Sequence, residues 1–186
     1  VASSYVFDIE ASTDNDAACR FSLDDNLEFE FMDPFEATGE VEHTISDFNG
    51  IQNGDNSAHK LHVKCRDNHN RIASRSFDIS VDTTPPQLTN FYAFPNPVIE
   101  MPFNTTLTVQ SNEPVICKYS SNSEDFDEMK GNFSGFDEAN FKTINRQSIN
   151  VSGEGEFLYY VACMNKAELV SSTKEIEFEV DLTIAM

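Results

Sequence analysis

The chain has 186 residues and carries 32 acidic against 12 basic side chains, a formal net charge of -20. The excess is shared between residues 1–84 and 85–186, so each half repels a phosphate backbone or an anionic lipid surface, which argues against nucleic-acid binding. No run of about eighteen apolar residues spans a membrane, and the chain opens at Val1 with neither Met nor a charged-then-apolar leader, which reads as a mature, processed or excerpted protein.

Period-two alternation announces strands throughout. Phe7–Ser12 leads to Cys19-Arg20-Phe21-Ser22, where Cys19 and Phe21 share the inward face. From Leu27 to Thr44 the chain is Phe-rich, acidic and irregular, and Pro34 and Gly39 interrupt any helical period. Lys60–Cys65 alternates again, with Leu61, Val63 and Cys65 inward and Lys60, His62 and Lys64 outward, and Phe77, Ile79 and Val81 share a face of the last strand. In Val81–Pro86, "VDTTPP", two prolines stop that strand and stiffen the passage into a second half.

The second half starts with a strand around Phe91, Tyr92 and Phe94. Adjacent aromatics in a strand point to opposite faces, so one of those faces is expected to meet a partner or a neighbouring domain. Thr106–Ser111 is the next strand, followed by Cys117-Lys118-Tyr119-Ser120. Ser123–Thr143 is irregular again, broken by Gly131 and Gly135, with a short helix expected at Asp127–Lys130. Phe157–Cys163 and Glu175–Asp181 close the half, the latter with Ile176, Phe178 and Val180 set against Glu175, Glu177 and Glu179.

The halves are copies. Cys65 follows Cys19, and Cys163 follows Cys117, by the same forty-six positions; Met32 matches Met129, Phe35 matches Phe133, Thr44-Ile45 matches Thr143-Ile144, and Phe77–Asp82 matches Ile176–Asp181. Duplication of a disulfide-bearing unit explains this spacing and predicts the bonds Cys19–Cys65 and Cys117–Cys163. Such bonds persist in oxidising surroundings, so the expected location is extracellular, at the cell surface. Without a C-x2-C pair, a thiolate metal site is disfavoured. Before its first cysteine the first half has only Phe7–Ser12 where the second has two strands, so its first strand is predicted to be missing. Either the chain is an excerpt of a longer array, or a neighbouring molecule adds a strand to the open edge.

The landmarks Cys19-Arg20-Phe21-Ser22, Met32, Phe35, His43-Thr44, Cys65-Arg66-Asp67-Asn68-His69-Asn70, Phe77–Asp82 and Pro85-Pro86 resemble tandem immunoglobulin-like repeats of secreted and surface proteins of bacteria and archaea. His69 stands where the repeat usually has Gly, and Cys163–Glu168 lacks the acid found at Asp67. The resemblance implies an all-β chain of two tandem immunoglobulin-like, fibronectin-III-like β-sandwich domains, 1–84 and 85–186, each with one inter-sheet disulfide. It differs from antibody domains in having no Trp and in placing Val63 or Val161 two residues before the second cysteine.

Chemistry-bearing groups are plentiful but scattered. All four histidines, His43, His59, His62 and His69, fall in the first half without a nucleophile motif, and exposed strand or loop positions are expected for them. Asp14 and Asp16 in "TDNDAA", and Glu124, Asp125 and Asp127 in "SEDFDEM", are candidate calcium ligands, since that ion takes clustered hard oxygens; the competing reading is solvated charge. No other cofactor is expected. Asn104, Asn132 and Asn150 each begin an N-x-[ST] sequon and are glycosylation candidates. The expected function is therefore non-enzymatic: a structural subunit or segment of a surface filament, stalk or array that self-associates or meets neighbouring immunoglobulin-like domains. The alternative is an adhesin module recognising carbohydrate or protein with calcium.

Overall fold

A computed structural model describes residues 6–51, 57–137 and 139–184. The chain divides into two compact units, Val1–Thr84 and Pro85–Met186. The protein is all-β, and its helical content among the described residues is two short 3-10 turns, Phe29–Phe31 and Leu182–Ile184. Among the described residues no helix is long and apolar enough to cross a membrane.

Unit 1 contains β1 (Phe7–Ser12), β2 (Ala17–Leu23), β3 (Asp33–Pro34), β4 (Glu42–Phe48), β5 (Ser57–Asp67) and β6 (Ile72–Val81). One sheet is the antiparallel pair β1-β4, and the other runs β3-β2-β5-β6. Unit 2 contains β7 (Leu88–Phe94), β8 (Asn104–Ser120), β9 (Gly131–Asn132), β10 (Lys142–Asn150), β11 (Gly155–Met164) and β12 (Lys174–Val180). Here the long β8 serves both sheets. Its first part pairs with β7 and β10, its last part with β9 and β11, and β12 continues beyond β11. In unit 1 those two roles are divided between β1 and β2 by the turn that carries Asp14 and Asp16.

Each unit has its own core, and inward alternation supplies it. In unit 1, Phe21 meets Phe35 and Phe48 edge to face at 5.9 and 5.7 Å, around the fully buried Ile51 and Val81. In unit 2, Leu107, Val109, Val161 and Val180 are fully buried, and Phe178 stacks with Phe157 and Tyr159. Met32 and Met129, the matched landmarks, are both buried, at 3% and 4% exposure.

Both disulfides form as the spacing predicts, Cys19–Cys65 and Cys117–Cys163. Their placement differs from the expectation carried by the resemblance. Cys19 lies directly opposite Cys65 on the hydrogen-bonded neighbours β2 and β5, and Cys117 opposite Cys163 on β8 and β11, each pair with Cα atoms 4.0 Å apart. The bonds are therefore cross-strand staples within one sheet and not links between sheets. Directly opposed residues of an antiparallel pair come within bonding reach, whereas facing sheets stand about 10 Å apart. Each bond closes a loop of the same length, worth about 4 kcal/mol in the chain-entropy view.

The repeat extends to the basic residue after each first cysteine. Arg20 lies 5.1 Å from the Phe29 ring and donates hydrogen bonds to the carbonyls of Glu30 and Met32, while Arg66 covers the same ring from 4.3 Å and pairs with Glu30. Lys118 does the equivalent in unit 2, 4.5 Å from the Phe126 ring and bonded to the Phe126 carbonyl. The acidic Phe/Met stretches are thus turns clamped onto the first disulfide strand. The short helix expected at Asp127–Lys130 is one turn closed by the Met129 N–H on the Asp125 carbonyl; the glycine at 131 enters β9 and stops it there.

Candidate functional site

Most polar landmarks have structural work. Asp67, two residues after the second cysteine of unit 1, accepts the backbone N–H groups of His69 and Arg71 on Oδ1 and the Arg71 guanidinium on Oδ2 at 2.7 Å. The Arg71 N–H, more than any other partner, holds its carboxyl below the usual carboxylate range. Asn165, at the same offset in unit 2, accepts the N–H groups of Ala167 and Leu169 in the same way. Each turn then passes through a residue at positive φ, Asn70 and Glu168. An amide oxygen does this as well as a carboxylate, so the acid at Asp67 is a turn cap and its loss from unit 2 costs the loop nothing.

Two histidines are buried, contrary to expectation. His43 is 1% exposed and His62 8% exposed. The Nε2 atom of His43 lies 2.9 Å from the Thr13 hydroxyl and Nδ1 lies 3.1 Å from the Thr38 hydroxyl, while His62 meets the Ser76 hydroxyl at 2.8 Å. Hydroxyl partners make burial of a neutral imidazole acceptable, and desolvation lowers the His43 pKa below its ordinary value against a weaker opposing pull from Glu42. The signal was available, because His43 shares the parity of the core residue Ile45. The His59 side chain is 9% exposed, its Nδ1 2.8 Å from Asp24 Oδ2, and His69 is exposed.

The structure places the candidate calcium ligands as follows. Asp14 and Asp16 lie on the β1–β2 turn beside a hollow of about 350 Å³ that also touches Asp67, His69 and Arg71. The Asp67 carboxylate there is already taken by Arg71. In the second cluster Asp125 accepts the N–H of Asp127, and the neighbouring Glu128 accepts the Ser123 hydroxyl. Among the described residues, three metal-ligating side chains converge only at Cys19, His43 and Cys65, where both sulfurs are committed to the disulfide. The sequon residues Asn104, Asn132 and Asn150 are all exposed; Asn104 and Asn150 face each other across β8 and β10, joined by a 2.7 Å side-chain hydrogen bond.

The feature that sets the units apart is an edge. In unit 2, β7 pairs with β8 on the side away from β10, and the chain then crosses to β12, where Val98 accepts the Asp181 N–H and donates to Glu179. Asn96 fastens this crossing by bonding both the carbonyl of Glu177 and the N–H of Glu179. Leu88, Ala93 and Val98 are buried in consequence. Unit 1 has no counterpart among its described residues: β1 pairs only with β4, and β6 only with β5. Between β1 and β6 runs a groove of about 580 Å³ lined by Ile9, Leu61, Val63, Arg75 and Phe77.

Side-chain burial records the missing cover. On β12 burial alternates strictly, whereas on β6 every residue from Ile72 to Asp78 is exposed. Phe77, expected inward, is 48% exposed, although Ile176 at the matching position is 2% exposed. Phe7, Ile9 and Ala11 face the unit 1 core and remain half-buried. An unpaired row of backbone groups beside exposed apolar side chains is the arrangement to which extended segments add. Covering the exposed half of Phe77 would contribute about 1 kcal/mol, roughly half the value of burying a whole Phe side chain.

No protein-family model and no curated protein matches the chain. Among solved structures it is similar to the fibronectin(III)-like modules of Clostridium thermocellum CbhA, at 10% identity over 94% of this chain and 86% of that one, with a TM-score of 0.49. It is also similar to the D00-D0 domain of intimin, at 11% identity over 97% and 94% of the two chains and a TM-score of 0.35. A third likeness is to the human desmocollin-1 ectodomain, at 11% identity over 88% and 30% and a TM-score of 0.29.

Proposed function

We propose that this chain is a non-enzymatic extracellular structural protein, a tandem immunoglobulin-like segment of a surface filament, stalk or array, joined to its neighbour by strand addition at unit 1. The open β1 edge carries this reading, because unit 2 of the same chain seals the corresponding place with its own β7. Two disulfides with no free cysteine fit an oxidising exterior. Exposed sequon asparagines and the acidic surface suit the same setting.

The test is negative-stain electron microscopy of native material without reductant, with light scattering over a concentration series. Filaments, or a mass that grows with concentration, are the expected result. Single chains that stay monodisperse at the highest concentrations would refute self-assembly through this edge.

A further inference from the structure

Unit 2 contains a template for what the groove of unit 1 holds. There β7 runs antiparallel to β8, from Leu88 opposite Ser111 to Phe94 opposite Thr106, and packs against β12. Its residue Phe91 lies with its ring 5.9 Å from the Lys174 ammonium. Lys174 sits across from Val161, and Arg75 sits across from Val63. Each valine comes two residues before the second cysteine of its disulfide, so Lys174 and Arg75 are counterparts.

Arg75 is exposed in the groove wall, and among the described residues it has no acidic or aromatic partner. The other ionic groups of the groove, Glu10 and Asp14, repel an acidic segment. Acidic segments make up much of this chain, but Gln87–Val98, which carries β7, has no charged residue.

We infer that the groove between β1 and β6 accepts an uncharged strand donated by a neighbouring polypeptide, antiparallel to β1, with an aromatic ring over Arg75. The inference rests on the reading of unit 1 as an assembly site and narrows it. The donated strand must resemble β7: apolar at the positions that face Leu61, Val63 and Phe77, free of carboxylates, and aromatic where it passes the guanidinium. A strand with Asp or Glu toward Glu10 and Asp14 is rejected by like charge.

The probe is a labelled synthetic peptide with the sequence of Gln87–Val98, titrated into the full chain and followed by anisotropy and by amide hydrogen exchange. Saturable binding with new protection on β1 is expected. Arg75→Glu in the chain should weaken binding by about tenfold, and Phe91→Leu in the peptide by several-fold, as loss of a cation–aromatic contact predicts.

Protection on β8 instead of β1, or binding indifferent to both changes, would overturn the inference. A companion chain carries a second copy of 86–103 grafted ahead of Phe7, where the unit 2 connection joins β7 to β8. Should only this graft raise the melting temperature while the free peptide fails to bind, the strand belongs to the same polypeptide and donation from a neighbour is wrong. Light scattering on the same samples separates the two readings. A chain that binds the peptide yet never self-associates removes the filament and keeps the strand specificity.

Discussion

Ile176 and Phe77 occupy one position in two copies of one fold, yet the first is 2% and the second 48% exposed. Both strands alternate apolar and polar residues, and both lie beside a disulfide-stapled partner. The difference is β7 with its crossing to β12, present over unit 2 and without a counterpart among the described residues of unit 1. Alternation assigns a side chain to a face; burial needs a second layer to close over that face. Unit 1 therefore carries an apolar strand pattern written for a cover that its described residues do not supply.

Substitutions at the matched pair measure that cover most directly. Ile176→Ala should destabilise unit 2 by about 2–5 kcal/mol, the cost of deleting a fully buried aliphatic side chain. Phe77→Ala should cost unit 1 less than about 1 kcal/mol in the isolated chain, because the ring is half in water already. Calorimetry that resolves two transitions reads both. Equal losses would mean that Phe77 is covered in solution, and the comparison between the units would collapse.

A smaller effect separates cap from ligand in the turns after the second cysteines. Asn165→Ala leaves the buried N–H of Ala167 and the half-buried N–H of Leu169 without their acceptor and should cost about 1–3 kcal/mol. Asn165→Asp keeps the oxygen and should cost less. In unit 1, Asp67→Asn should retain the fold and Asp67→Ala should lower the melting temperature. If Asp67→Asn alone lowered it only when calcium was present, the acid would be a ligand and the likeness of the two turns would be superficial.

Much of this was legible beforehand. Equal cysteine spacing marks the repeat and its pairing. Other features had signals that pointed elsewhere. Period-two patterns say that Cys19 and Cys65 face the core but not that they are neighbours in one sheet, since registry is a property of two strands together. His43 shares the parity of Ile45, yet burial of its ring depends on partners for the ring nitrogens, and Thr13 and Thr38 are brought there from other turns. Arg75 could not be singled out at all, because its meaning comes from Lys174 holding Phe91 in the other copy.

The weakest of these effects is a dependence on acid confined to one unit. His43 is buried and neutral, and its pKa is lowered by desolvation. A group whose folded pKa is depressed keeps its full contribution above its unfolded value, near 6.5, and loses it as pH falls through the folded value. The unfolded chain then takes up a proton that the folded chain resists. Unit 1 should accordingly melt lower at mildly acidic pH, and unit 2, which has no histidine, should not share this slope. Replacing His43 with Gln removes the titrating ring while leaving an amide for the Thr13 and Thr38 hydroxyls. The acid slope of the unit 1 transition should flatten in that variant; if it persists unchanged, the slope belongs to the exposed carboxylates and His43 contributes nothing to it.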